Sequence, residues 1–254
     1  MGVAGLIYNT EGIVIRSIPY GETHAIILLL TPTGTVSAMA RGAKRPQSKL
    51  RAGTQLCVEG VYTLYQNTGM GNVQQFELKN SRRPLREHLD LAAYAAYFCE
   101  LVSSSAEERP NGSSFQYREF LAVLDRLALR SDEPSDISRI WEAKILRTLG
   151  AAPNWEQCAI CGRRCESSTR YSPADGGFIC DECSQTANRR SILVPRGLPI
   201  LLNRMTKAPM ERLGQIRLTE PTRRALLTVL RAQLTEFAGL SLKSASILDS
   251  LDIS

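Results

Sequence analysis

Apolar positions over residues 11–79 fall in short runs cut by turn residues, the pattern of a small antiparallel sheet. Five runs predict strands at 11–18, 22–31, 35–40, 55–65 and 73–78. Thr31-Pro32-Thr33-Gly34 marks the turn before the third, and Asn67 to Gly71 the turn before the fifth. Past Pro84 the spacing lengthens to that of helices, predicted at 85–102, 115–130, 135–149, 195–206, 221–237 and 240–251. The third carries Ile137, Ile140, Trp141, Ile145 and Leu149 on one stripe and stops at Gly150, with Pro153 just beyond. Thr219 is placed to cap the helix that opens at Pro221, and Gly239 to end it. Residues 103–114 read as a polar loop that solvates Glu107 and Glu108. Five strands in about eighty residues suggest a small closed sheet, either an OB-type or an SH3-like barrel; periodicity does not separate them.

Composition adds compartment. No apolar run approaches the length of a membrane span, and residues 1–9 lack the charged and apolar regions of a secretory leader. Seven cysteines are an odd count for an oxidised protein. A reducing, cytoplasmic location is the expectation.

Four of those cysteines carry the sharpest signal. Cys158 and Cys161 form one C-x2-C pair and Cys180 and Cys183 another, with eighteen residues between the pairs. Two such knuckles make a tetrahedral cage of thiolates, for which Zn²⁺ is the usual occupant. Four sulfurs leave no open position for water, and the chain's two histidines, His24 and His88, lie far off in sequence. The expectation is one structural Zn²⁺. Cys165 lacks a partner at knuckle spacing and reads as a bystander; Cys57 and Cys99, inside apolar runs, read as small core residues.

Charge then points at a partner. The net charge is +6, concentrated towards the two ends of the chain. Between the third and fourth strands, Arg41, Lys44, Arg45, Lys49 and Arg51 fall within eleven residues that hold no acid. A basic loop beside a sheet face is a groove for nucleic-acid phosphates, and Arg16 on the first strand can join it. Phosphate contacts read no sequence, so affinity without base specificity is expected. Tyr62 shares a strand face with Leu64 and reads as core, whereas Tyr65 on the opposite face is the candidate for base stacking. No phosphate-binding glycine loop, nucleophile elbow or zinc-protease motif is present, so no catalytic residue is assigned and the chain is not expected to be an enzyme. An RNA-binding or ribosome-associated zinc-ribbon module fits the same features and is the alternative.

With these parts in order, the chain resembles the RecO family of bacterial recombination mediators. The resemblance rests on Gly12-Ile13-Val14-Ile15-Arg16 followed by Tyr20-Gly21-Glu22-Thr23, and on Arg41-Gly42-Ala43-Lys44-Arg45-Pro46. It is most specific at Cys158-Ala159-Ile160-Cys161-Gly162, Tyr171-Ser172-Pro173-Ala174-Asp175-Gly176-Gly177 and Cys180-Asp181-Glu182-Cys183. Leu242-Lys243-Ser244 is similar to the family's final helix. Cys165 is not part of the family pattern. The resemblance implies an α+β, multidomain chain with an N-terminal OB-fold β-barrel and a C-terminal all-α helical domain carrying an inserted four-cysteine zinc finger. The corresponding division is 1–80 barrel, 81–155 first helical part, 156–185 zinc finger and 186–254 second helical part. It also implies binding of single- and double-stranded DNA and annealing of complementary strands. The implied partners are RecR, the C-terminal tail of single-strand-binding protein and, indirectly, RecA, which is loaded onto coated DNA.

Overall fold

The computed structural model describes residues 5–108, 114–186 and 191–251. The chain forms two compact units, residues 1–129 with 244–254, and residues 130–243.

The first unit starts with five strands: β1 (Leu6–Tyr20), β2 (His24–Thr31), β3 (Gly34–Ala40), β4 (Glu59–Gln66) and β5 (Gly71–Asn80). Their order is β1-β2-β3-β5-β4, and β4 pairs back on β1 from Leu6–Gln66 to Ile13–Glu59. The sheet is mixed. All ladders are antiparallel except the β3–β5 seam, which is parallel and held by two pairs, Ala38–Gly71 and Met39–Asn72. Its interior is packed by Val14, Ile27, Leu29, Ala38, Tyr62, Leu64 and Val73. Tyr62 is fully buried, donates to the Gly53 carbonyl at 3.0 Å and meets Phe76 with ring centroids 5.0 Å apart. Gly60 permits this closeness, since a Cβ there would stand 2.3 Å from the Glu77 carbonyl oxygen.

Four helices complete this unit: α1 (Pro84–Glu87), α2 (Leu89–Glu108), α3 (Ser114–Ala128) and α8 (Ala245–Leu251). Helix α2 packs on β1, which explains why Ile13 to Ile15 are buried on both faces. Arg82, at φ 40°, joins strand and helix by ion pairs to Glu59 (2.8 Å) and Asp125 (2.7 Å). Helix α8 comes from the far end of the chain yet packs on α2; the Ser244 amide and hydroxyl both donate to Glu100.

The second unit contains α4 (Pro134–Leu149), β6 (Arg170–Ser172), β7 (Gly177–Phe178), α5 (Asp181–Thr186), β8 (Ile192–Leu193), α6 (Leu198–Lys207) and α7 (Glu220–Ala232), the last running into a π-helical turn, Gln233–Phe237. Helix α4 packs against α6 and α7 and is buried from Ser135 to Leu146. Its buried Asp136 accepts from Arg223 Nε at 2.8 Å and from the Leu218 amide at 3.0 Å, so the carboxylate is compensated. Gly150 ends α4 in the left-handed region, as its sequence position suggests.

The expected fold class is corrected by these observations. A barrel followed by one all-α domain with a zinc finger inserted is not what forms. The strands make a mixed sheet with a two-pair parallel seam, the helices are shared between two units, and the four-cysteine segment brings a three-stranded sheet of its own, ordered β7-β6-β8. The reason is that α2, α3 and α8 carry apolar faces that bury against the strands and each other, so sequence order does not decide which unit a helix joins. Locally, 103–108 continue helix α2 instead of opening a loop, so Glu107 and Glu108 belong to its last turn; Pro110 to Gly112 lie outside the described residues. Three consecutive serines break the apolar stripe without breaking the helix, because Ser103 and Ser105 return their hydroxyls to the Glu100 and Val102 carbonyls.

Candidate nucleic-acid interface and metal centre

Ladder pairing brings one row of side chains to the outer face of the strands. Ile7 stands opposite Tyr65, Tyr65 opposite Asn72, Asn72 opposite Met39, Met39 opposite Ile26, and Ile26 opposite Ile18. Directly paired residues project to the same face. Ile7 (64% exposed), Ile18 (49%) and Tyr65 (36%) are open to solvent. The hydroxyl end of the Tyr65 ring packs against Gly5, where a Cβ would come within 2.3 Å of it, so the backbone approaches the ring closely. Arg41, one residue past β3, donates from Nε to Asn72 Oδ1 at 3.2 Å, and so reaches the same row.

The basic segment is a succession of tight turns. The Arg45, Ser48 and Arg51 amides donate to the carbonyls three residues back, at 3.0 to 3.2 Å. Ala43 is buried in the core, the Gly42 amide donates to His24 Nδ1 (2.9 Å) and the Lys44 amide to the Thr23 carbonyl (2.9 Å). These bonds tether the segment to the β1–β2 turn. The side chains of Lys44, Arg45, Lys49 and Arg51 are exposed, and among the described residues no acid pairs with them. Uncompensated cations on a fixed backbone suit a polyanion, because little ordering remains to be done on binding.

Of the seven residues expected at this surface, the structure links Arg41 and Tyr65 through Asn72, and fixes Lys44 near the β1–β2 turn. Arg16 pairs with Leu28, one pairing beyond the Ser17–Ile27 neighbours of the row. Among the described residues, no contact joins Lys49 or Arg51 to the row. Sequence reading passed over Asn72 and His24. Their only signal was position, one beside the glycine turn before β5 and the other at the start of β2.

The metal-capable centre is built in the second unit. The ligand sulfurs of Cys158, Cys161, Cys180 and Cys183 all lie within 4.8 Å of one another. Cys161 and Cys180 Sγ are 3.8 Å apart, which matches the edge of a tetrahedron with metal–sulfur bonds of about 2.3 Å. The first knuckle is closed by the Gly162 amide on the Cys158 carbonyl (2.9 Å) and the Cys158 amide on the Arg163 carbonyl (2.8 Å), with Gly162 at φ 72°. In the second, the Cys180 amide points at Cys158 Sγ (3.4 Å), and Cys183 sits in α5. Arg163 ties the two together. Its Nε donates to Cys161 Sγ at 3.5 Å while its other nitrogen pairs with Glu182. That guanidinium draws the Cys161 thiol down to about 6, so this ligand is ready as a thiolate. Cys165 is outside the cluster, and burial, with the neighbouring cysteine charges, pushes its thiol up to about 12.

Behind the cluster, Phe178 packs edge-on against Trp155 (6.0 Å) and Tyr171 (5.7 Å). Gln233, buried at the start of the π-helical turn, donates to Tyr171 Oη (2.9 Å) and to the Gly176 carbonyl (2.6 Å). Gly176 is at φ 64° with the Phe237 ring over it; a Cβ there would approach the ring to 2.5 Å. Gly176→Ala is thus expected to cost about 2 kcal/mol through overpacking and left-handed strain, read as a lower midpoint in urea unfolding.

No helix among the described residues is long and apolar enough to cross a membrane. Comparison with known proteins gives a consistent result along the whole chain. The family described as "Recombination protein O N terminal" matches residues 6–82, and "Recombination protein O C terminal" matches residues 86–246. The DNA repair protein RecO of Bacillus subtilis is 36% identical over 249 residues, 97% of this chain and 96% of that protein. That of Bacillus pumilus is 35% identical over 250 residues, 97% of this chain and 95% of that protein. With both halves matched and relatives aligned nearly end to end, the chain belongs to the RecO family of bacterial DNA repair and recombination proteins.

Proposed function

We propose that this chain acts as a recombination mediator by holding nucleic-acid strands together, with no bond chemistry of its own. The observation that carries the reading is the set of unpaired cations, Lys44, Arg45, Lys49 and Arg51, on a tethered backbone that begins beside the Arg41–Asn72–Tyr65 row. Two strands repel through their phosphates. Arg41, Lys44, Arg45, Lys49 and Arg51, with Arg16 two residues along β1 from Ile18 on the face of the row, neutralise that charge; Tyr65, partly open to solvent, offers its ring to an unpaired base. Single-stranded and double-stranded DNA are both bound, and complementary strands anneal on the surface. Family membership supports the remaining partners: RecR, the tail of single-strand-binding protein, and RecA loaded in consequence.

Zn²⁺ is the ion that the four thiolates fit. Cys158, Cys161, Cys180 and Cys183 would hold it, and it would supply cross-linking of the segment between the knuckles, with no open position for substrate.

Annealing of complementary oligonucleotides, with and without single-strand-binding protein, tests the proposal across a salt series. Acceleration that falls steeply as salt rises is expected. Absence of acceleration at low salt, or preference for structured RNA over single-stranded DNA, would overturn it.

A further inference from the structure

Two cysteines outside the metal cluster meet in the first unit. Cys57, in the segment leading into β4, and Cys99, on α2, bring their sulfurs to 3.6 Å across 42 residues of chain. Both are buried, Cys57 at 1% exposure and Cys99 at 2%. Cys57 also has φ 63°, a conformation that a side chain other than glycine or asparagine seldom takes. It is held there by its amide on the Val14 carbonyl (2.9 Å) and by the return bond from the Val14 amide to the Val58 carbonyl (3.0 Å). The backbone is thereby held with this thiol against Cys99 of α2.

The neighbourhood is not that of an inert core pair. Arg86 reaches in to donate to the Leu56 carbonyl (3.1 Å) and the Ser81 carbonyl (2.7 Å). Burial lowers the pKa of this guanidinium, which sits beside the backbone on the N-terminal side of Cys57. A cation beside a sulfur assists its reaction as a nucleophile. For Cys99, burial pushes the thiol well above the usual range. Arg86 is bonded to the carbonyl of Leu56, the residue before Cys57, so Cys57 takes the part of the attacking sulfur and Cys99, on α2, that of the resolving one.

We propose that Cys57 and Cys99 are an oxidative modification site, closing to an intramolecular disulfide when the protein meets a hydroperoxide. The Cys57 thiolate attacks one peroxide oxygen; the O–O bond breaks, hydroxide leaves and takes up a proton as water, and Cys57 becomes a sulfenic acid. The Cys99 sulfur then attacks Cys57, the S–S bond forms, the S–O bond breaks and a second water leaves with the Cys99 proton. Both sulfurs are oxidised by one electron each, and the two peroxide oxygens are reduced. The sulfurs need to approach from 3.6 Å to about 2 Å, a side-chain adjustment. The product pins the end of the segment that carries the basic loop to helix α2 and removes loop entropy from the unfolded chain.

The test uses full-length, metal-loaded, reduced protein treated with hydrogen peroxide. The protein is then unfolded, its remaining thiols alkylated, and it is digested without reductant for mass spectrometry. A Cys57–Cys99 linked peptide pair, two hydrogens lighter than the reduced pair, is expected, with a higher melting temperature that dithiothreitol reverses. In Cys99→Ser, and in Cys99→Val as a second variant should the first fold poorly, no link forms and Cys57 is trapped by dimedone as the sulfenic acid. The proposal fails if Cys57 and Cys99 both stay fully alkylatable at peroxide doses that oxidise the exposed Cys161, or if Cys57 pairs with a different cysteine. Neither outcome bears on strand annealing.

Discussion

Cys158→Ser/Cys183→Ser is expected to lose its bound metal and more than about 4 kcal/mol of stability in the second unit, the range where loss of a metal or an equivalent staple falls. The size follows from what the four sulfurs restrain. Outside the cluster, the described residues between Trp155 and Leu193 have one small aromatic core, Trp155, Tyr171 and Phe178, and strands of two or three residues. So little buried area does not offset the entropy of ordering the chain without a cross-link. Elemental analysis should give one zinc per chain in the unsubstituted protein and none in the variant. Limited proteolysis should open the knuckle segment first and leave the strands of the first unit resistant. Full stability in the variant, or protein purified free of metal with these cysteines oxidised, would refute the zinc assignment.

Replacing Lys44, Arg45 and Lys49 together by glutamine should weaken single-stranded DNA binding by roughly 100-fold at 0.1 M salt. Three phosphate contacts contribute about 0.7 each to the slope of log affinity against log salt on a single strand. Their loss flattens that slope by about 2 and leaves affinity near 1 M almost unchanged. A salt titration of fluorescence anisotropy separates this from misfolding, which would lower affinity at every salt concentration. None of the three side chains carries a hydrogen bond or ion pair among the described residues, so the substitution disturbs no internal contact. An unchanged slope would remove the basic segment from the binding surface.

The two sites were legible in the sequence to different degrees. The four-cysteine cluster was readable, because a knuckle is a local object: Cys158 and Cys161 are brought together by the Gly162 turn, and only the meeting of two knuckles is long-range. The basic loop was readable as charge, since no acid interrupts it between Arg41 and Arg51. What it faces was not. Arg41 meets Asn72 only because β3 and β5 run parallel with Met39 opposite Asn72, a register set by packing inside the sheet. Ala43 looks like any loop alanine in the sequence; in the fold it is buried and helps to fix the cations around it. The short strands β6, β7 and β8 escaped detection because two or three residues give no periodicity.

The order of amino acids alone specified the five strand segments, most helix positions, the four clustered cysteines and a run of basic residues without an acid. These depend on local propensity, on spacing of a few residues and on net charge, all of which exist before the chain folds. It took the folded arrangement to join α2, α3 and α8 to the strands, to bring Ser244 to Glu100, and to set Cys57 against Cys99. Those contacts link residues tens to more than a hundred positions apart. Their free energy comes from apolar area buried jointly by both partners, and no single stretch of chain holds that information.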